Sequence, residues 1–503
     1  MKAFLMFRDR DFDLGHSLPP NADDLVRDLQ LETLFKAMSR GDEFVHEVEK
    51  VALLTAVRSK TEEIEYRQWI MADSLNNPEI VRALYDLAVE ALTREREATF
   101  FTFYRDSPGL LLHRSAAVLS VFIDILHRLR RVADSSTTKF RSEGFQKLFI
   151  TLERELTDDY FAELYRHLSL LKFPLGVLMT ARLGAGNKGT DYALRDPPCD
   201  YRPWLLRHLI PYKRAGHILT VHPRDEAGAQ ALSELRNRGL ALTARALAQA
   251  VDHLLSFFQM LRAELAFYIG GLNLREALVR LQAPTAFPHA RSSQVTRFNA
   301  RGLFDVCLVL SQSKAAVGND IAADDKRLII ITGANQGGKS TFLRGAGVAQ
   351  LMMQAGLFVG AEGFEANIVD GIFTHYKREE DCGMVSGKFD EELKRMDSLA
   401  DALDSNSLVL FNESFASTNE REGSEIAEQI ALALAETGKK IIFVTHLYQF
   451  ASAVHALNRK DTLFLRAERH ESGARTYKLI EGTPLETSFG ADIYSKVFGD
   501  DLV

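Results

Sequence analysis

The stretch that decides the fold lies at residues 328–344 and reads LIIITGANQGGKSTFLR. Its first four residues form an uninterrupted apolar run, which is typical of a strand buried on both faces of a parallel sheet. The residues from Gly333 to Ser340 match the pattern GxxxxGK[ST], in which a glycine-rich turn opens a helix. Backbone N–H groups of such a turn surround phosphate oxygens, and the helix N-terminus adds partial positive charge. The stretch therefore predicts a strand, a phosphate-binding loop and a helix in direct succession.

The same pattern assigns a task to individual residues of the loop. Lys339 is expected to reach the β- and γ-phosphates of a bound ATP, and the Ser340 hydroxyl is expected to ligate Mg²⁺. The residues predicted to hold the nucleotide are Gly333, Ala334, Asn335, Gln336, Gly337, Gly338, Lys339, Ser340 and Thr341.

A second apolar run, LVLF at 408–411, ends in Asn412 and Glu413. Phosphate-loop NTPases place a magnesium ligand and a water-activating carboxylate at the end of such a strand. We therefore predict Asn412 as a second metal ligand and Glu413 as a catalytic residue. On its own, a strand followed by Asn-Glu is usually an ordinary strand-to-loop exit.

A third apolar run, IIFV at 441–444, ends in Thr445 and His446. Ligands bind at the carboxyl edge of parallel sheets, where the ends of neighbouring strands meet. His446 is therefore predicted to sense the γ-phosphate or to orient a water molecule. A capped or core histidine is the alternative interpretation.

The rest of the chain divides by its periodicity. Apolar residues recur at helical spacing through the first 170 residues, and a long helical stretch is predicted over 226–268 unless Gly228 or Gly239 interrupts it. Short β-rich runs lie between them, whereas strands and helices alternate after residue 300. We predict a multidomain chain with an all-α domain at 1–285, a small β insert at 175–224 within it, and an α/β domain at 286–503.

Net charge is unevenly distributed, at −7 for residues 1–100, +9 for 101–300 and −9 for 301–503. The segment 176–224 alone carries a net charge of +5. Such a basic segment in an acidic protein favours contact with a polyanion, although chance clustering of surface arginine is an equal alternative. The candidate DNA contacts are Arg182, Lys188, Arg195, Arg202, Arg207, Lys213 and Arg214. The glycines of 184–189 fit GxGxxG, but no helix pattern follows, so a hairpin turn is the preferred interpretation.

Several classes of protein are disfavoured by composition. The sequence contains no run of about 18 uncharged apolar residues, so no membrane span is predicted. Acidic residues within the first ten positions argue against a secretory signal. The three cysteines lie far apart, which disfavours a zinc site and fits a reducing compartment. We expect a cytoplasmic protein without membrane contact.

Taken in order, these motifs resemble those of the MutS family of DNA mismatch repair ATPases. The resemblance covers some 180 residues, and a weaker likeness to the family's core domain surrounds IEYRQ at 64–68. The blocks that carry it are ITGANQGGKSTFLR (331–344), QAGLFVGAE (354–362), DGIFTHY (370–376), SGKFDEEL (386–393), SLVLFNESFASTNEREG (407–423), FVTHLYQF (443–450) and ETSFGADIY (486–494).

The resemblance implies an ABC-type ATPase domain and a helical core whose lever helices connect it to a DNA clamp. It also implies a homodimer with composite ATP sites, in which Ser386 reaches the nucleotide of the other subunit. Duplex or branched DNA and repair proteins are the expected partners.

Three departures from the family pattern shape the predicted function. Asn412 replaces an aspartate, so magnesium loses a charged partner and hydrolysis is expected to be slow. Ala316 and Val317 stand where the family often stacks an aromatic ring on adenine. Nothing resembles the mismatch-reading domain, so DNA contacts are expected to be made mostly to phosphates. The alternatives are an ATP-binding scaffold that recruits partners with little hydrolysis, and an ABC-type ATPase unrelated to DNA.

Overall fold

The computed structural model describes residues 1–99, 107–173, 176–195, 220–294, 296–378, 387–470 and 475–485. Its helices, numbered along these residues, are α1 (Ala22–Asp28), α2 (Leu31–Ser39), α3 (Glu43–Thr55), α4 (Thr61–Asn76), α5 (Pro78–Thr99), α6 (Pro108–Ser136), α7 (Glu143–Glu155), α8 (Asp158–Leu171), α9 (Glu226–Arg280), α10 (Val306–Gln312), α11 (Lys339–Ala355), α12 (Lys388–Ala402), α13 (Glu420–Glu436) and α14 (Tyr448–Ala456). Its strands are β1 (Met179–Leu183), β2 (Gly189–Leu194), β3 (His289–Arg291), β4 (Phe298–Leu303), β5 (Asn319–Ala322), β6 (Leu328–Gly333), β7 (Gly363–Asn367), β8 (Gly371–Tyr376), β9 (Ser407–Asn412), β10 (Lys440–Val444), β11 (Thr462–Arg469) and β12 (Arg475–Glu481).

The chain forms two compact units, each assembled from separate stretches. The helical unit comprises Met1–Ala3, Arg82–Lys139 and Gln146–Arg262. The sheet unit comprises Phe4–Val81, Phe140–Phe145 and Ala263–Val503. The boundary expected near residue 285 does not coincide with this division, because the N-terminal helices belong to the core of the sheet unit.

The sheet unit contains two sheets. Six strands lie in the order β12-β11-β6-β10-β9-β8, all parallel except β12. The second sheet has the order β3-β7-β4-β5 and mixes parallel with antiparallel pairs. The apolar runs predicted as strands form β6, β9 and β10, which are buried along nearly their whole length. Both strands and helices occur after residue 300, which is consistent with an α/β domain.

The N-terminal helices pack directly on α11. A side-chain carbon placed on Gly347 of α11 would lie 2.9 Å from Leu29, so glycine permits this close approach. The helical spacing of the N-terminal segment is interrupted at Gln30, whose left-handed backbone (φ 55°) separates α1 from α2. The break turns the chain between two short amphipathic helices.

The helical unit is built around α6 and the first part of α9, with Phe122 and Phe258 in contact at a ring separation of 5.2 Å. The stretch Pro108–Lys139 is the single helix of the described residues whose length and composition would suit a membrane span. Its side chains Phe122, Ile123, Leu126 and Leu129 are buried inside the protein. Core helices commonly have this composition.

The predicted insert appears as a hairpin in the helical unit. Strands β1 and β2 pair antiparallel, and the residues of the GxGxxG pattern form the turn between them, as expected. Residues 220–222, the described part of the insert that precedes the long helix, form no strand.

The predicted long helix is longer than expected. Neither Gly228 nor Gly239 interrupts α9, which continues to Arg280. The glycines serve packing instead, since a side-chain carbon on Gly239 would lie 2.5 Å from the Met179 sulfur of β1. Likewise, one on Gly270 would overlap the buried carboxyl of Glu49 on α3.

Candidate functional site

The phosphate loop connects β6 to α11 at the carboxyl edge of the six-stranded sheet. Gly333 and Gly338 adopt left-handed backbone conformations (φ 109° and 89°) that favour glycine. Gly337 is required for close packing, because a side-chain carbon at this position would lie 2.6 Å from the Ala467 methyl group of β11. The glycine pattern therefore reflects backbone shape and close packing.

Lys339 is folded onto its own loop. Its ammonium donates hydrogen bonds of 3.0 Å to the carbonyl oxygens of Gly333 and Ala334. Burial lowers the pKa of Lys339 to about 8, an effect that the Glu413 carboxylate opposes and Arg475 reinforces. A polyphosphate would offer this buried ammonium a stronger partner than two neutral carbonyls.

Ser340 and Asn412 meet across the sheet edge. The Ser340 hydroxyl donates a 2.8 Å hydrogen bond to Asn412 Oδ1. Both are oxygen ligands of the kind Mg²⁺ prefers, and Mg²⁺ usually takes its remaining ligands from phosphate and water. The donor set therefore fits Mg²⁺ with ATP. Among the described residues no cluster of three or more His, Cys, Asp or Glu side chains would hold a metal alone.

Glu413 and His446 form a pair at the ends of β9 and β10. His446 Nε2 lies 3.0 Å from Glu413 Oε1, and both side chains remain partly exposed, at 27% and 35%. The hydrogen bond from His446 lowers the pKa of Glu413 against the opposing effect of burial, with Lys339 and Lys377 contributing. The carboxylate is thus ionised, accessible to water and held by the histidine. His446 is thus a partly exposed residue paired with Glu413 and not a core histidine.

Two features of the site were missed by sequence reasoning. Tyr477 of β12 lies beside Gly338, half exposed and in a left-handed conformation (φ 61°). Asn319 fixes it there, since the Asn319 side chain donates to Tyr477 O at 3.2 Å and accepts from Leu479 N at 2.7 Å. An exposed aromatic ring at the mouth of the loop supplies a surface on which a base can stack.

The second missed feature lies behind Glu413. His375 of β8 and Glu392 of α12, both buried, contact Ser414 and Phe415, the residues that follow Glu413. A single polar residue within an apolar pattern was the signal available, and it does not reveal a partner distant in sequence.

The predicted DNA contacts are only partly described. Arg182, Lys188 and Arg195 lie on or beside the hairpin, where Arg182 and Lys188 are exposed and Arg195 donates to Thr180 at 3.1 Å. Ser386 and the remaining basic candidates fall outside the described residues; these are Arg202, Arg207, Lys213 and Arg214.

Comparison with known proteins agrees with this arrangement. Residues 59–281 match the family model of the MutS2 N-terminal domain, and residues 329–499 match that of MutS domain V. The chain belongs to the MutS family. The second match covers the phosphate loop, Asn412, Glu413 and His446, which therefore lie within the region that matches domain V.

Curated relatives are similar over part of this chain. The endonuclease MutS2 of Lactiplantibacillus plantarum is 32% identical over 178 residues, which is 35% of this chain and 22% of the relative. The DNA mismatch repair protein MutS of Thermus thermophilus is 31% identical over 185 residues, 37% of this chain and 22% of the relative. The endonuclease MutS2 of Lacticaseibacillus paracasei is 29% identical over 303 residues, 55% of this chain and 37% of the relative. The chain thus spans well under half the length of these relatives.

Proposed function

We propose that this MutS-family protein binds ATP with Mg²⁺ at its phosphate loop and hydrolyses the ATP with Glu413 as the catalytic carboxylate. The observation that carries the proposal is the Glu413–His446 pair, at 3.0 Å, on the sheet edge that also bears Lys339 and the Ser340–Asn412 contact. An ionised, histidine-held carboxylate is suited to orient and polarise an attacking water.

Each residue then has a defined role. The loop N–H groups and Lys339 hold the phosphates, Ser340 and Asn412 hold the metal ion, and Tyr477 faces the base. Bound Mg²⁺ supplies charge neutralisation on the phosphates. Because Asn412 is neutral where an aspartate would bring a charge, metal affinity is weaker and turnover is slow.

We further propose that the protein acts on duplex or branched DNA as a dimeric clamp without reading mismatches directly. The family membership and the basic segment 176–224 support this, and α9 contributes residues to both compact units. In this proposal Ser386 completes the ATP site of the second subunit, ATP closes the dimer, and the cytoplasm is the expected location. DNA is held through phosphates, by Arg182, Lys188 and Arg195 among others.

The main alternative is a nucleotide-gated scaffold that binds ATP with little turnover and recruits repair proteins. Asn412 favours it, and the intact Glu413–His446 pair argues against it. Asn412→Asp separates the two, because a large gain from a near-zero baseline favours the scaffold, whereas a modest gain on measurable turnover favours the ATPase.

The experiment is steady-state ATP hydrolysis with linear and branched duplexes over about 50 to 200 mM salt. Glu413→Ala is the blank, and Glu425→Ala on the exposed face of α13 is the matched carboxylate control. We expect turnover that rises with DNA and declines with salt. ATP binding without turnover, unchanged by any DNA, would refute the clamp and favour the scaffold.

The basic hairpin is tested in the same assay. Reversing the charge of Arg182, Lys188 and Arg195 together is expected to weaken DNA binding for all sequences alike. If each contacts one phosphate, the salt dependence of log Kd also becomes shallower, by a slope of about 3. Arg421→Glu on α13 serves as the charge control. Unchanged DNA stimulation in the triple variant favours an ATPase unrelated to DNA or contacts elsewhere.

A further inference from the structure

The turn that carries Glu413 has an unfavourable backbone. Glu413 and Phe415 both adopt left-handed conformations, with φ of 56° and 64°. Side-chain-bearing residues rarely take this conformation, and it persists where surrounding contacts enforce it. The direction of the Glu413 carboxylate therefore depends on what holds residues 413–415.

Backbone pairing holds only the first part of the turn. Glu413 N donates to Val444 O at 2.9 Å, which continues the ladder between β9 and β10. Beyond that point the partners belong to other elements, and they are one side chain and one backbone carbonyl. Phe415 N donates to Glu392 Oε1 of α12 at 2.6 Å, and Ser414 Oγ donates to His375 O of β8 at 2.6 Å.

His375 links these partners to one another. Its Nδ1 lies 2.8 Å from Ser414 Oγ, its Nε2 lies 3.2 Å from Glu392 O, and its ring stacks on Phe415. Burial, with a contribution from Arg395, lowers the pKa of His375 to about 4, so the ring is neutral at physiological pH. The neutral ring and the Ser414 hydroxyl together have two protons for the three contacts between His375, Ser414 and Glu392 O. The hydrogen bond from Phe415 N to the Glu392 carboxylate does not depend on either of these protons.

Glu392 is an unusual residue to find at this position. Its side chain is 2% exposed, and Oε2 has no hydrogen-bond partner among the described residues. It borders a cavity of about 270 Å³ that is also lined by Arg378 and Arg395. Burying a carboxylate with one oxygen unpaired is costly, and a neutral acceptor would serve packing equally well.

We propose, on the basis of the ATPase function proposed above, that Glu392 is a positioning residue for Glu413. By accepting the Phe415 N–H, Glu392 fixes the left-handed turn and so aims the Glu413 carboxylate at the attacking water. The Ser414–His375 contact supports the same turn from β8. Neither Glu392 nor His375 touches the nucleotide in this assignment.

The assignment is tested in the full-length protein with the variants Glu392→Ala and Glu392→Gln and with the control Asp397→Ala. Asp397 is an exposed carboxylate on the same helix. In Glu392→Ala, misdirection of the carboxylate is expected to lower kcat about ten- to hundredfold, while KM and the Kd of a fluorescent ATP analogue stay within about twofold. In Glu392→Gln the amide oxygen still accepts from Phe415 N, so most of kcat is retained.

The outcomes separate the assignment from a general structural role and from the ATPase proposal itself. Wild-type kcat in Glu392→Ala, or equal losses in Glu392→Gln and Glu392→Ala, would overturn the assignment. A parallel loss of ATP binding and melting temperature would do so too. If Glu392→Ala fails to fold, Ser414→Ala tests the same turn, and an unchanged kcat there overturns it. Absence of turnover in the wild-type protein would instead refute the ATPase function.

Discussion

Replacing Arg67 by methionine should loosen the far end of the phosphate-loop helix. Arg67 of α4 is buried, and its guanidinium donates three hydrogen bonds of 2.8 Å, to the carbonyls of Gln354 and Ala355 and to the Ser59 hydroxyl. The last carbonyls of a helix lack partners within the helix, so Arg67 caps α11. Burial lowers the pKa of Arg67 to about 10, which leaves it charged at neutral pH.

The size of the effect follows from what methionine leaves behind. Two carbonyls and one hydroxyl lose their partner, at about 1 kcal/mol each or more for buried groups. Removing the charge also removes the cost of burying it, so the expected loss of stability is near the lower end of this range, at about 3 kcal/mol. Arg58→Met is the control, because Arg58 is 78% exposed and its 3.3 Å contact with Asp404 is worth about 0–1 kcal/mol.

Hydrogen–deuterium exchange measured on peptides of α11 is the suitable assay. A single unfolding midpoint would mix the contributions of two compact units, whereas exchange reports on the helix itself. A loss of about 3 kcal/mol corresponds to roughly 150-fold faster exchange near Ala355. If Arg67→Met and Arg58→Met change exchange in α11 equally, the capping role is wrong.

Three further predictions concern protonation and base binding. The affinity for ATP should be constant below about pH 8 and weaken above it, because Lys339 loses the charge that binds phosphate. The measurement is a titration with a fluorescent ATP analogue between pH 6.5 and 9.5, and a constant affinity over this range would contradict the prediction. Glu264, whose pKa burial raises to about 7, binds more protons in the folded than in the unfolded state between pH 4.5 and 7, so stability should fall as pH rises through that window. In urea titrations, Glu264→Gln should reduce this decrease of stability with pH. An unchanged pH dependence of stability in the variant would assign the decrease to other groups. Tyr477→Ala should weaken ATP binding about tenfold by removing a stacking surface, while Tyr477→Phe retains affinity; equal losses would point to the hydroxyl instead.

The parts of this molecule that the sequence reveals are those fixed by local chemistry. The phosphate loop is recognisable because an apolar strand, a glycine turn and a helix follow one another within 328–344. Ser340, Asn412, Glu413 and His446 meet as expected because parallel strands end at one sheet edge. The hairpin turn at 184–189 was also correctly predicted, since no helix follows its glycines.

The remaining parts depend on contacts between distant residues. Arg67 and Gln354 are 287 positions apart, and neither sequence neighbourhood indicates the other. Gly228 and Gly239 suggested interruptions of α9, yet the helix is unbroken and Gly239 admits the Met179 side chain against it. For the same reason Glu392 and Tyr477 escaped notice, because their importance lies in the backbone they contact.

The discontinuous assembly of the sheet unit has a consequence for synthesis of the protein. Residues 4–81 leave the ribosome before the rest of their unit, since 82–262 must be translated before most of the sheet appears. At about 5–20 residues per second this delay lasts about 10–40 s. During that time Leu29 and Arg67 have no α11 to meet, and the apolar faces of the first helices are open to nascent-chain chaperones. The helices of residues 4–81 are therefore translated well before α11, the helix on which they pack.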